Sequence, residues 1–202
     1  VITDPLDPDR VANAPGGGLF IHNDNYPGTI TTIRNTTISG NHAEGSGGGV
    51  KISEIPGAGG DVSILHSTIT NNRANSDNVG VETGGGIHVG NSGTTVTIEH
   101  TIVAGNFRGT GSTRDDISGT VTASWSLVGD DTGAMINDVV GNQIGNGTTP
   151  KPSGLDPTLA LNGGLTETHA LLAGSLAIDM GDPALRSGSG TTPLFDQRGG
   201  RY

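Results

Sequence analysis

Apolar and polar positions alternate along this chain in short β-branched runs, and the runs return in the same order. One phrase reads Thr31-Thr-Ile-Arg-Asn-Thr-Thr-Ile-Ser-Gly-Asn41, then Val62-Ser-Ile-Leu-His-Ser-Thr-Ile-Thr-Asn-Asn72, then Val96-Thr-Ile-Glu-His-Thr-Ile-Val-Ala-Gly-Asn106. A fourth, degraded copy is Val121-Thr-Ala-Ser-Trp-Ser-Leu-Val-Gly-Asp-Asp131. Alternation of this kind, rich in Ile, Val and Thr, predicts half-buried strands. No window of 10 residues or more carries a helical period. Aligned, the copies give an apolar column Ile33, Ile64, Ile98, Ala123 and a second, Ile38, Ile69, Val103, Val128. A third column is Asn41, Asn72, Asn106, ending at Asp131.

A glycine triplet precedes each of the first three copies. Gly16-Gly17-Gly18, Gly47-Gly48-Gly49 and Gly84-Gly85-Gly86 start 31 and 37 residues apart, and each leads into an apolar run. A phrase returning at that interval is the signature of stacked repeats. The shortest complete unit, Gly84 to Asn106, is 23 residues, enough for three short strands and three corners. The predicted fold is therefore all-β: a right-handed parallel β-helix, or β-solenoid, of about four to five turns. Glycine allows positive φ at a corner and close approach of neighbouring turns. A stacked Asn column can share side-chain amide bonds inside the solenoid. Insertions fall between the Asn and the next glycine block, at His42–Ser46 and Arg73–Thr83, so they should project from one side of the stack. No fourth glycine block follows Gly86.

The chain divides into a Pro- and Asp-rich extended arm (1–10), the repeats (11–131) and a non-repetitive capping region (132–202). The arm reads either as a frayed terminus or as a segment that caps the first turn or pairs with a neighbouring molecule. The tail from Leu155 is expected to cover one end of the stack.

Composition sharpens this picture. The 202 residues include 36 glycines but only 3 Phe, 2 Tyr and 1 Trp, so the core must be a thin one of Ile, Leu and Val. Net charge is −10, which opposes nucleic acid and anionic membranes as partners and leaves cations, neutral surfaces or basic partners. The absence of cysteine in so loop-rich a chain points to a bacterial exterior or a reduced compartment. No membrane span is visible, and a start at Val1 suggests a processed product or an excised fragment. Asn35-Thr-Thr37 and Asn146-Gly-Thr148 fit the glycosylation pattern by composition alone.

The candidate chemistry is sparse. The acidic doublets are Asp115-Asp116 and Asp130-Asp131. Neighbours on a strand face opposite ways, so a doublet offers one outward carboxylate, and corner residues accepting backbone N–H bonds are the plain reading. Polysaccharide hydrolysis requires carboxylates converging on a groove. The lysines are Lys51 and Lys151, and Lys51 shares a column with Phe20 and His88, an outward position. His66 and His100 stack one turn apart with Asn35 in the same column; a third metal ligand is not in register, so a polar corner ladder is expected. Calcium is the most plausible ion given 20 acidic residues, although no calcium-binding glycine–aspartate nonapeptide is present. No serine elbow and no cysteine nucleophile exist. These residues assign no catalytic, cofactor or metal site, and enzyme activity is not indicated.

From Leu155 the chain reads Leu155-Asp-Pro-Thr-Leu-Ala-Leu-Asn-Gly-Gly-Leu-Thr-Glu-Thr-His-Ala-Leu-Leu-Ala-Gly-Ser-Leu-Ala-Ile-Asp-Met-Gly181 and closes with Asp196-Gln-Arg-Gly199. These phrases resemble the choice-of-anchor Q domain of bacterial surface proteins, through Asp156, Pro157 and Leu159; Asn162 to Gly164, Thr166, Thr168 and His169; Gly174, Ser175, Ala177 to Asp179 and Gly181; and Asp196 to Gly199. Asp116-Ile-Ser-Gly119 and Ser126-Leu-Val-Gly129 also resemble it. The glycine-block and Ser-Thr-Ile phrases are similar to repeats of bacterial polymorphic outer-membrane proteins and autotransporter-like adhesins. The resemblance implies a secreted or cell-surface bacterial protein with a structural or adhesive role and names no catalytic residue. Family members usually continue into an anchoring segment, whereas this chain stops at Tyr202, so either the anchor was removed or the protein is held by something other than an anchor; self-association through the solenoid ends or the arm, end to end into a filament, is a further expectation. Surface glycans or other surface proteins are the expected partners. In this reading His169 pins the tail by a hydrogen bond. The alternative function is a carbohydrate-active β-helix, a polysaccharide lyase or glycan-binding module, for which Trp125, Tyr26, Tyr202 and three Phe are few aromatic platforms.

Overall fold

The computed structural model describes residues 16–23, 29–54, 60–90 and 93–200; the N-terminal arm, Tyr26 and Tyr202 lie outside them. The described chain is all-β, with no helix, and its strands are mostly parallel. The first turn contributes β1 (Leu19–Asn23), β2 (Thr29–Arg34) and β3 (Thr37–Ser39). The second contributes β4 (Val50–Glu54), β5 (Gly60–Leu65) and β6 (Thr68–Thr70), followed by β7 (Arg73–Ala74) in the insertion. The third has β8 (Ile87–Val89), β9 (Val96–Glu99) and β10 (Ile102–Val103), then a hairpin of β11 (Phe107–Arg108) and β12 (Thr113–Arg114). The fourth has β13 (Ile117–Ser124) and β14 (Leu127–Val128), and the fifth β15 (Ala134–Val140) and β16 (Gln143–Ile144).

Except for β12, which pairs antiparallel with β11, the strands pair in parallel with their counterparts in neighbouring turns. β3, β6, β10, β14 and β16 form one ladder. β1, β4 and β8 form a second, and β2, β5 and β9 a third; both run into β13, whose start pairs β8 and whose end pairs β9. β13 therefore spans as one strand what earlier turns build from two strands and a loop, and the eight-stranded sheet curls around it.

The registers are those the repeats predict. Ile33, Ile64, Ile98 and Ala123 are successive partners, as are Ile38, Ile69, Val103 and Val128. Both columns are buried along with Val50, Ile52, Ile87, Ile117 and Val121. Burying each Val or Ile contributes about 1.5–3 kcal/mol, so a core without large aromatics is adequate when every turn adds several such residues. The last rungs, Ile136 and Ile144, are only partly buried, so the core ends openly at the fifth turn. Phe20, Lys51 and His88 form one column, as predicted, but only Phe20 is exposed, while Lys51 and His88 are half-buried.

The glycine triplets have two distinct roles. The first glycine of each has positive φ (103°, 80° and 74° at Gly16, Gly47 and Gly84). The third makes room for the asparagine column: a Cβ on Gly18, Gly49 or Gly86 would lie 2.8, 3.0 or 2.7 Å from Nδ2 of Asn41, Asn72 or Asn106. One turn after Gly85-Gly86 the same places are held by Asp115 and Asp116, whose carbonyls accept from Gly86 N and Ile87 N. A fourth corner block therefore exists, without glycine.

The two insertions and the β11–β12 hairpin stack on one another. His42 bridges to Arg73, β7 pairs with β11, and β11 folds back on β12. Arg73 Nη1 donates to the carbonyls of Gly109 and Gly111, and its guanidinium lies 5.4 Å from the Phe107 ring centroid.

The tail departs from expectation. Residues 155–200 lie lengthwise along the flank instead of sitting over one end. They reach the first turn, where Asn35 Nδ2 donates to Phe195 O (2.7 Å) and Thr37 Oγ1 to Gln197 Oε1 (2.8 Å), and the third, where Thr191 Oγ1 donates to Glu99 Oε1 (3.0 Å). The tail carries polar partners for several successive turns, and only a lengthwise path satisfies them all.

Candidate functional site

Three polar ladders cross the turns. The first is the asparagine column. The backbone N–H and Nδ2 of Asn41 both donate to Oδ1 of Asn72 (3.0 and 2.9 Å), and those of Asn72 both donate to Oδ1 of Asn106 (3.1 and 3.0 Å). Asn106 in turn donates twice to Oδ1 of Asp116 (2.8 and 2.9 Å). The column thus ends at Asp116, not at the predicted Asp131. Asp116 takes the last place because its side chain grows from the non-glycine corner block directly into the column. Gly129 leaves space for it: a Cβ there would stand 2.5 Å from Asp116 Oδ2.

The second ladder is built of hydroxyls. Thr36 N donates to Ser67 Oγ (3.2 Å), Ser67 N to Thr101 Oγ1 (3.4 Å), Thr101 N to Ser126 Oγ (3.2 Å), and Ser126 N to Asn142 Oδ1 (2.9 Å). Each hydroxyl donates its own hydrogen to the carbonyl two residues back.

The third ladder is the corner of left-handed residues Asn35, His66, His100 and Trp125, with φ of 51°, 48°, 49° and 49°, followed by Gly141 at 69°. Repeated positive φ at bulky residues is unusual and persists only where the surroundings enforce it. Here each residue's N–H donates to a carbonyl of the next turn. The His66 and His100 rings stack with centroids 4.7 Å apart and planes 6° from parallel. Gly141 lies against the Trp125 ring, where a Cβ would overlap ring carbons. Burial holds the His66 pKa down at about 4, with the charges of His100 and Arg34 adding to it; burial likewise lowers His100, against the pull of Glu99 and Asp182. His100 Nε2 accepts from Asp182 N (3.2 Å), so its hydrogen sits on Nδ1, 3.6 Å from Glu99 Oε1.

Between this corner and the tail runs a groove of about 810 Å³, lined by His66, His100 and Trp125 on the stack and by Leu176 and Met180 on the tail. His169 closes it at the first turn. Its Nδ1 lies 2.7 Å from Asp156 O and must donate, so Nε2 accepts from Ser39 Oγ at 2.7 Å. This is the pin that the sequence suggested.

The acidic doublets meet in one corner. Asp115 Oδ2 accepts from Gly84 N (2.9 Å) and lies 4.0 Å from Arg108 Nε, and Asp130 Oδ1 accepts from Thr132 N (2.9 Å). Accepting backbone N–H bonds is the plain reading of these residues. Neither Asp115 nor Asp116 faces outward: they are 4% and 0% exposed, which corrects the expectation of one outward carboxylate. Among the described residues no three carboxylate or imidazole groups converge as a metal site. The stacked histidines hold each other face to face instead of aiming at a shared point.

Sequence reasoning missed Asp116 as the end of the asparagine column, and Trp125 and Gly141 as members of the left-handed corner. The signal for Trp125 was available, because it aligns with His100 in the degraded copy. No described protein family, curated protein or solved structure matches the chain.

Proposed function

We propose that this chain is a right-handed parallel β-helix that works as a structural or adhesive module at a bacterial surface, of the choice-of-anchor Q kind, and assembles end to end. The observation that supports this reading is the use made of its reactive side chains. The imidazoles of His66, His100 and His169 and the carboxylates of Asp115 and Asp116 are engaged in ladders, stacks and pins that join one turn or segment to another. A chain whose acid–base groups are built into its own scaffold has them withdrawn from a substrate.

The end of the stack suits assembly. β15 is hydrogen-bonded to β13 on one side, and among the described residues no strand pairs with its other edge, where Met135, Val139 and Val140 are exposed. Open strand edges recruit further strands unless blocked. Sedimentation velocity over a concentration series tests the proposal: self-association is expected, and Val139→Lys should weaken it. A monomer at every concentration would contradict end-to-end assembly.

A second reading, glycan binding, is favoured by the groove beside Trp125 and the hydroxyl ladder. Titration with neutral and acidic oligosaccharides, monitored by Trp125 fluorescence, checks it, since this is the chain's one tryptophan.

A further inference from the structure

Asp116 stands out among the buried groups because only half of its carboxyl is used. Oδ1 accepts both hydrogens that Asn106 offers, while Oδ2 is buried with no hydrogen-bond partner. Its surroundings are short of positive charge. Asp115 precedes it and Asp130 reaches the same corner from the turn after β14. Arg114 acts on Asp116 only through space, and Arg108 lies beside Asp115, 4.0 Å from Oδ2. The remaining neighbours, Asn106, Ala104, Gly129 and the Gly84–Gly86 block, are uncharged. An ionised carboxylate placed here would have one buried oxygen with no protein donor, and interiors answer that cost by taking up a proton.

The position matters as much as the burial. The main chain of Asp115 and Asp116 accepts from Gly86 and Ile87, Asp115 N donates to Asn106 O, and Asp115 Oδ2 accepts from Gly84. The same two residues thus join the third turn, the β11–β12 hairpin and the fourth turn. We propose that this corner is a pH-responsive joint: with Asp116 neutral the fourth turn is locked onto the third, and with Asp116 ionised the joint loosens. The direction of the titration agrees, since burial raises Asp116 to about 7 and Asp115 to about 6.

Two measurements test it. Melting temperatures of the wild type and Asp116→Asn are compared from pH 5 to 8, and the difference between them is read, which cancels the histidines. Asparagine keeps the acceptor for Asn106 and cannot ionise. The joint predicts that the variant gains on the wild type as pH rises, by on the order of 5 °C between the two ends; a difference independent of pH overturns it. A carbon-13 titration of the wild-type Asp116 carboxyl, against exposed Asp77 as reference, does not depend on the variant folding. A midpoint well above that of Asp77 supports the joint, and one at or below it overturns the proposal.

Discussion

Asp116 Oδ1 receives both the backbone N–H and the Nδ2–H of Asn106, at 2.8 and 2.9 Å, so a buried column of asparagines ends in a carboxyl group. A carboxyl group suits the last rung, since Oδ1 alone accepts both hydrogens and the column needs no further asparagine above it. The same relationship defines how the stack is held: apolar columns give it a core, and polar columns fix the register between turns.

The asparagine column is the tightest of these. Asn72 accepts twice from Asn41, donates twice to Asn106 and donates again to Ile38 O and Thr70 O. Asn72→Ala strands buried donors and acceptors in two turns at once, at 1–3 kcal/mol for each unsatisfied group. Chemical denaturation should show a loss of about 3 kcal/mol or more.

Glycines of the corner blocks and of the surface should respond oppositely to the same change. A Cβ on Gly85 would overlap the Phe107 carbonyl oxygen and stand 2.7 Å from its nitrogen, whereas one on Gly111 meets nothing within 4 Å. Gly85→Ala should cost about 3 kcal/mol or more, because backbone and not a flexible side chain must yield. Gly111→Ala should be near neutral or stabilise by up to about 1 kcal/mol through the unfolded chain. Paired thermal melts decide it.

The fourth turn shows where the sequence was legible and where it was not. The Ile33 and Ile38 columns follow from β-branched residues recurring at fixed offsets, and the structure keeps those registers through Ala123 and Val128. The asparagine column could be followed for three turns. It was lost at the fourth because the Phe107–Arg114 hairpin intervenes and the corner is filled by Asp115-Asp116, which no search for glycine detects. The tail's path was illegible for another reason: Leu155–Gly200 has no period, and its position rests on isolated long-range bonds such as Ser39–His169.

The stacked histidines should give stability an acid limb. A base whose folded pKa is depressed contributes stability that is complete above its unfolded value, near 6.5, and lost as pH falls toward the folded value, about 4 for His66. His42, His88 and His100 are lowered as well. The histidines therefore pull the melting temperature down between pH 6.5 and 4, against the opposite pull of Asp115 and Asp116, so the difference between His66→Asn and the wild type should shift in the variant's favour as pH falls. Asparagine tolerates the left-handed backbone and occupies this column at Asn35.

The tail should be separable from the stack. His169→Ala leaves Ser39 Oγ without its imidazole partner in a buried place and removes the bond to Asp156 O. Limited proteolysis should then cut within 155–200 while residues 60–90 and 93–151 stay resistant. Equal resistance of tail and stack in the variant would show that His169 is not the pin.

The central claim is that the reactive polar groups of this protein are structural, built into ladders that cement one turn to the next. Native-state hydrogen exchange, read residue by residue, tests it most directly. The backbone amides of Asn72, Asn106, His66 and Thr101 should be among the slowest to exchange, opening only with the whole stack, while those of the tail exchange through a smaller, separate opening. Ladder amides exchanging as fast as those of the tail would contradict the account.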